Sequence, residues 1–383
     1  MDTENPGVMK TTGRKRILCI VPLPPPVTGQ SLACQTFLAE IAKYHTIQVV
    51  NFNKGTFTQG VSSFARIIEV IKILKKIWKE KKEADVIYLT ISQSIAGNIK
   101  DLLTYLICFK KLSRMIIHLH GGGIRKLIFD KYRPLYYLNK LFLKRIGGAI
   151  VLGKSLIPIF EGMIPENKIH IVPNFAEDYL FLGKREIEEK FQKTNPVRIL
   201  FLSNLIPGKG HEELVEAYKS LNNDLQSRII IDFAGGFESD EQKKTFLGKI
   251  EGCKGINYYG IVAGDEKKEL FSKAHIFCLP TYYYYYEGQP ISILEAYASC
   301  CVVITTDHGG IRDVFKNGVN GFLVEKRSPV SIKEVIGHIL VQPERLINIA
   351  LHNRYVAEKR FNRSKYVSSL VEIIEKVGVM DDR

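Results

Sequence analysis

Two glutamates, Glu287 and Glu295, stand eight residues apart in the segment EGQPISILE. Glu287 closes a loop rich in aromatic residues and glycine. Pro290 suits the opening turn of a helix, and Glu295 falls about a turn inside it. The start of such a helix offers unpaired backbone N–H groups and the positive end of the helix dipole, which together seat a diphosphate. Carboxylates on either side of that seat accept hydrogen bonds from sugar hydroxyls. An isolated pair of glutamates is ordinarily solvated surface. Here they bracket an apolar loop containing Gly288, Gln289, Pro290 and Ile291, just after a buried run, and that setting favours function.

Three further places carry groups of the same kind. In FLSNLIPGKGHEELVEA a strand ends near Asn204, and Lys209 occupies a glycine-flanked loop before a helix, where it can act as a point charge on a phosphate. The spacing is not that of a P-loop, and a solvated loop lysine is the plain alternative. In HLHGGG, His118 and His120 alternate along a strand and so share a face, with His120 at the strand end against glycines. It is placed to bond a sugar hydroxyl or a developing charge, unless it is a structural strand-end histidine. In PLPPPVTGQS, prolines stiffen a loop, Gly29 permits close backbone approach, and Gln30 and Ser31 open a helix. That segment reads equally as a tight strand-to-helix turn.

Regular elements must hold these groups. Residues 16–23, 47–52, 85–90, 114–120 and 148–153 read as buried parallel strands with helical patterns between them. The rhythm lapses into charged sequence at 176–196, which reads as a passage between domains. It restarts with strands at 197–204, 228–235, 256–260, 274–280, 301–307 and 321–325. The expected fold is α/β: two Rossmann-like, doubly wound domains with a cleft between them, their ligands beyond the carboxyl ends of the strands. The expected division is 1–185, 196–355, and a C-terminal helical segment over 356–383.

Composition narrows the partners. Lys+Arg number 54 against 40 Asp+Glu, a formal net charge of +14, which suits an anionic partner. The seven cysteines are odd in number and contain no Cys-x-x-Cys pair, so neither a disulfide framework nor a zinc ribbon fits, and a reducing cytosol is expected. The polar N-terminus lacks the apolar region of a signal peptide, and no apolar run reaches the roughly 18 residues of a membrane span. No Asp-x-Asp lies at a strand end and no His/Cys/Asp cluster occurs, so no metal is expected.

Residues 65–82 carry seven basic and two acidic residues, and Ile67, Val70, Ile71, Leu74 and Ile77 trace one stripe. This is a basic amphipathic helix, suited either to an anionic membrane surface or to core packing with a solvated basic face. A second cluster, 131–145, mixes cations with aromatics. The Tyr282–Tyr286 run reads as a pocket wall or as an exposed loop.

The motifs resemble those of the retaining glycosyltransferase family 4, of GT-B architecture. The Glu-x7-Glu block, its continuation EAYASCCVVITTDHGGIRDVFKNGVNGFLV, VPN at 172–174, the GKG loop and the HGG after the fourth strand occur in that family's order over roughly 16–330. The resemblance implies that Glu287 binds donor sugar hydroxyls and Glu295 the ribose. Backbone groups of Gly288 to Ile291 line sugar and phosphate, Lys209 neutralises the departing diphosphate, and Gly29 approaches it. His120 contacts the donor sugar and the reacting centre. The C-terminal helix crosses back onto the first domain. Asn204 stands where the family often has an arginine, so one phosphate cation is lost.

The implied enzyme moves a hexose-type sugar from a nucleotide-diphosphate sugar to a saccharide acceptor, lipid-linked in this reading, with retention of configuration, in cell-surface polysaccharide (capsule or O-antigen) biosynthesis. It needs no cofactor beyond that co-substrate and works in the cytoplasm, peripherally on the inner face of the plasma membrane. One rival is a nucleotide-sugar epimerase on the same scaffold. Another is a nucleic-acid-binding protein, against which the basic residues interleave with apolar helices rather than with a nucleic-acid motif.

Overall fold

The computed structural model describes residues 13–52, 63–284 and 287–379. Two compact units form. One holds the described residues up to 173 together with those from 364 onward, the other the described residues of 174–363.

In the first unit, β1 (Arg16–Val21), β2 (Thr46–Asn51), β3 (Val86–Thr90), β4 (Met115–Leu119), β5 (Gly148–Val151) and β6 (Ile169–Ile171) form a six-stranded sheet in the order β2-β1-β3-β4-β5-β6. Every pairing is parallel. Strands buried on both faces read as continuous apolar runs, and β1, β3, β4 and β5 do so. Between the strands run α1 (Gly29–Ile41), α2 (Ser63–Glu80), α3 (Ile95–Ile107) and α4 (Arg133–Leu143). Right-handed crossovers put α2, α3 and α4 on one face of this sheet, where α3 packs against both neighbours.

The second unit opens with α5 (Lys184–Phe191) and repeats the scheme with β7 (Val197–Leu202), α6 (His211–Lys219), α7 (Asn223–Ser227), β8 (Ile229–Ala234), α8 (Asp240–Ile250), β9 (Ile256–Tyr258), α9 (Gly264–Lys273), β10 (Ile276–Leu279), α10 (Ile291–Ala298), β11 (Val302–Thr305), β12 (Gly321–Leu323), α11 (Pro329–Val341) and α12 (Leu346–Arg360). Its all-parallel order is β12-β11-β10-β7-β8-β9. Counted from β7, that is the 3-2-1-4-5-6 arrangement of nucleotide-binding sheets. Finally, α13 (Arg363–Val379) returns to the first unit. There the Tyr366 hydroxyl donates to the Ala33 carbonyl at 3.4 Å, and Lys15 pairs with Glu375 at 2.8 Å.

The division differs from the sequence expectation of 1–185 and 196–355. The units part at 173/174, because the charged stretch read as a passage carries Ala176, Leu180, Leu182 and Ile187 into the second core. Its Lys190 is buried and donates to the carbonyls of Phe271, Ser299 and Cys300 at 2.7–3.2 Å. Residues 356–360 likewise finish α12 in the second unit, and only α13 returns. The short β6 has no counterpart among the expected strands. None of Ile169, His170 and Ile171 is fully buried, so the apolar run that marks the other strands is missing.

The stripe read along 65–82 is also divided. Ile77 is buried and Val70 and Leu74 are half-buried, but Ile67 and Ile71 lie open to solvent. Residues 65 and 66 offer no described side chains. No helix among the described residues is long and apolar enough to cross a membrane.

Candidate functional site

In open α/β sheets the ligand site forms where the strand order reverses. In the second unit that point lies between β7 and β10, and the loops leaving these two strands carry Lys209 and Glu287. They are laced together. The Gly208 carbonyl accepts from the Tyr282 N–H at 2.7 Å and from the Thr281 hydroxyl at 3.2 Å. Gly208 (φ +89°) and Gly210 (φ +87°) take left-handed conformations that favour glycine. A β-carbon on Gly210 would stand 2.5 Å from the Pro280 carbonyl oxygen, so the close approach of the loops also requires that glycine.

The lacing brings the two charges together. Lys209 Nζ lies 2.5 Å from Glu287 Oε1, which also accepts from the Thr281 hydroxyl at 2.9 Å. Glu287 is only 8% exposed. Behind it the Gly310 N–H donates to the Glu287 carbonyl at 2.9 Å, across a turn in which Gly309 has φ +58°. The imidazole of His308, held neutral-leaning by burial, bonds the Tyr283 carbonyl at 2.8 Å. In the tyrosine run, Tyr283 stacks under the Lys209 ammonium at 4.6 Å and Tyr282 donates to Glu213 at 2.5 Å, whereas Tyr284 is exposed. Tyr285 and Tyr286 lie outside the described residues.

The chain after Glu287 enters α10 with Pro290 at the cap, where no side chain bonds the helix start. Gly288 and Gln289 are buried. Gln289 is tied down on both sides: its Oε1 accepts from the Asn174 N–H at 2.6 Å, and its carbonyl from Asn174 Nδ2 at 2.8 Å. VPN therefore serves as a clamp on this loop. Asn204 is half-buried at the end of β7.

Glu295 is 1% exposed and its carboxylate pairs with Lys267 on α9, itself buried. Burial acts most strongly, depressing the Lys267 ammonium, but the Glu295 charge and hydrogen bond together with Tyr179 and Glu177 hold the group above its ordinary range. Burial, then the Glu295 charge, lifts the nearby Glu177 carboxyl above the usual carboxylate range. Sequence reading missed Lys267. The available signal was a lysine on the apolar stripe of α9, three and four residues before Leu270 and Phe271.

In the first unit, the rings of His118 and His120 stack at 3.9 Å, and the Tyr88 hydroxyl lies 2.5 Å from His118 Nδ1. Burial holds both imidazoles neutral, His120 down to about 3. His120 as a residue is half-buried, yet both its ring nitrogens are sealed from solvent and without a protein partner. The glycines after it are fixed by Gln93, unsuspected from sequence, whose Oε1 accepts from the Gly123 N–H at 2.6 Å. Gly29 begins α1, exposed, beside a capping box in which the Ser31 N–H donates to Thr28 Oγ1 at 3.1 Å. Among the described residues no three His, Cys, Asp or Glu side chains group as metal ligands.

The fold is that of two Rossmann-like α/β domains, each on an all-parallel six-stranded sheet. Residues 183–354 match the family described as glycosyl transferases group 1. Among curated proteins the chain is 27% identical over 282 residues to the uncharacterized glycosyltransferase MJ1069 of Methanocaldococcus jannaschii, covering 70% of this chain and 69% of that protein. It is 22% identical over 393 residues, 95% of this chain and 98% of the other, to the Escherichia coli UDP-Gal:alpha-D-GlcNAc-diphosphoundecaprenol alpha-1,3-galactosyltransferase. Against two further curated relatives the alignments span only 57% and 46% of those proteins' length. The crystal structure of Anabaena Alr3699/HepE in complex with UDP-glucose superposes with a TM-score of 0.71 at 16% identity, over 94% of this chain and 99% of that one. This last likeness speaks to the fold.

Proposed function

We propose that this protein transfers a hexose-type sugar, with retention of configuration and without a metal, from a nucleoside diphosphate to a lipid-linked saccharide acceptor in cell-surface polysaccharide synthesis. The observation that carries the reading is the Lys209–Glu287 pair at the strand-order reversal beside the open start of α10.

The chemistry follows from charge. Cleaving the donor's glycosidic bond leaves negative charge on the diphosphate. A preorganised cation and helix N-terminus stabilise that charge where water is excluded. In the free protein Lys209 is neutralised by Glu287. On donor binding its ammonium turns to the phosphates, releasing the Glu287 carboxylate to accept from sugar hydroxyls. Glu295, oriented by Lys267, accepts from the ribose. Asn204 sits where the resembled family often has a second cation, leaving Lys209 as the cation the reading relies on. In the first unit, neutral His120, its ring nitrogens without protein partners, is suited to bond a sugar hydroxyl, and Gly29 to let a phosphate approach the backbone.

The lipid-linked acceptor is supported by the E. coli relative, whose name specifies one. Such an acceptor requires work at the cytoplasmic membrane face, which the basic excess of the chain suits. No observation favours an epimerase, and the two curated relatives above are glycosyltransferases.

A panel of UDP- and GDP-sugars in a thermal-shift assay tests the donor assignment, since a bound donor raises the melting temperature by mass action. Proton NMR of the product on an undecaprenyl-diphosphate sugar then reads the anomer. Absence of stabilisation by every nucleotide-sugar overturns the donor site, and an inverted anomer overturns retention.

A further inference from the structure

Helix α3 turns an apolar ridge outward. Ile95, Ile99, Leu103 and Leu106, spaced four, four and three residues apart, form one ridge, and all four are exposed, Leu106 at 60%. The opposite face, turned into the protein, carries the buried polar groups Asn98, Asp101 and Thr104 beside Tyr105, which joins the core with the half-buried Leu102 and Ile107. Four exposed apolar side chains in one row are not what the hydrophobic effect alone would leave in water. Polar contacts fix it as it stands. Asn98 and Asn139 of α4 exchange amide hydrogen bonds at 3.1 and 2.9 Å, and the Ser92 N–H donates to Asp101 Oδ2 at 2.8 Å. Each of these buried groups would lose its partner if the helix rotated. The outward apolar ridge is therefore a built feature.

The ridge continues onto its neighbours. Phe109, just past the end of α3, is exposed under the Arg145 guanidinium at 5.3 Å, and Leu138 and Leu141 are exposed on α4. On the other flank α2 exposes Ile71 and Trp78, the latter with the Lys82 ammonium 5.1 Å from its ring. Cations surround this band. Residues 109–145 contain ten basic residues and one acidic, Asp130, and α2 adds the exposed Lys75 and Lys79.

We infer that the α2–α3–α4 face of the first domain is a membrane-docking surface, on which the α3 ridge enters the acyl boundary of an anionic bilayer while the flanking lysines and arginines hold the headgroups. An apolar band with a basic rim is the complement of such a surface. A second copy of the chain is disfavoured, because a two-fold contact through this face would press its basic rim against itself. The inference deepens the membrane-side acceptor proposed above and rests on that reading for its purpose, though its test does not.

The full-length protein is sedimented with vesicles of phosphatidylcholine alone and of phosphatidylcholine mixed with phosphatidylglycerol. Trp78, the only tryptophan in the chain, reports from the face itself. Wild type binds the anionic vesicles with a blue shift of Trp78 emission. Leu103→Ser combined with Leu106→Ser weakens that binding about tenfold or more, the loss expected on withdrawing two partly inserted leucines. Stabilisation by nucleotide-sugar stays unchanged in that variant. Wild-type-like vesicle binding by the double variant overturns the inference. So does a wild-type dimer in solution that the double variant dissolves, which would make the face an interface between copies. Should wild type bind vesicles yet no nucleotide-sugar, the donor assignment fails and the docking surface stands.

Discussion

Lys209 and Glu287, seventy-eight residues apart in the chain, meet at 2.5 Å, both side chains largely withdrawn from water. Each neutralises the other, so the cation proposed to bind the diphosphate is held buried and pre-positioned. The pair exists because two loops from adjacent strands at the reversal of sheet order are sewn together through Gly208, Thr281 and Tyr282.

Lys209→Ala is expected to lower turnover by about two to three orders of magnitude, as for other preorganised electrostatic groups. Radiolabelled sugar transfer measures it. Wild-type-like turnover would remove the lysine from the mechanism.

Glu287→Ala is expected to reduce transfer comparably, by about two to three orders of magnitude, with an unchanged circular dichroism spectrum. The variant also leaves the Lys209 ammonium without its partner, so nucleoside diphosphate alone should bind at least as well as to wild type. Titration calorimetry with UDP and GDP separates this from a general collapse of the site.

Gly309→Ala addresses the support of Glu287. Its φ of +58° strains a side chain, and the added β-carbon would stand 2.1 Å from the Glu287 carbonyl oxygen. The loop must shift, and a displacement of about 1 Å in a positioned group costs about a hundredfold in rate. Kinetics beside a urea melt distinguish displacement from unfolding. An unaffected rate would show that the turn does not position the glutamate.

Lys267→Met removes one partner of a buried pair and is expected to cost about 3–5 kcal/mol of stability, because the Glu295 carboxylate is left buried and unpaired. Adding Glu295→Leu should recover most of that loss while abolishing ribose recognition. Equilibrium denaturation of the three proteins reads the cycle.

His275 gives the pH dependence. Burial lowers its imidazole to about 4, and the ring accepts from the Arg198 N–H at 3.0 Å. The folded value lies below the unfolded one near 6.5, so between these values the unfolded chain binds the extra proton. Its contribution to stability is thus complete above about pH 6.5 and declines by about 1.4 kcal/mol per unit as pH falls towards 4. His275→Gln should flatten the slope of melting temperature against pH over that interval. An unchanged slope would assign it to the other buried histidines.

The sequence by itself determined the two α/β units, the places of eleven strands, and the candidates Glu287, Glu295, Lys209 and His120. These are local signals: apolar runs bounded by turns, glycines at strand ends, and a carboxylate spacing that survives as a string. It misplaced the division between units, because the charged residues at 176–196 hide Leu180, Leu182 and Ile187, whose burial depends on what packs above them. Sequence also could not foresee that Lys267 would answer Glu295, that Asn174 would clamp Gln289, or that Gln93 would hold the loop after His120. Only tertiary structure decided these, since each pairs groups from separate strand connections, and sheet order alone fixes which connections become neighbours. The outward ridge of α3 has the same origin: its periodicity announces apolar residues, but the buried Asn98–Asn139 amide pair, formed only when α4 packs beside it, helps decide that Ile95, Ile99, Leu103 and Leu106 look outward.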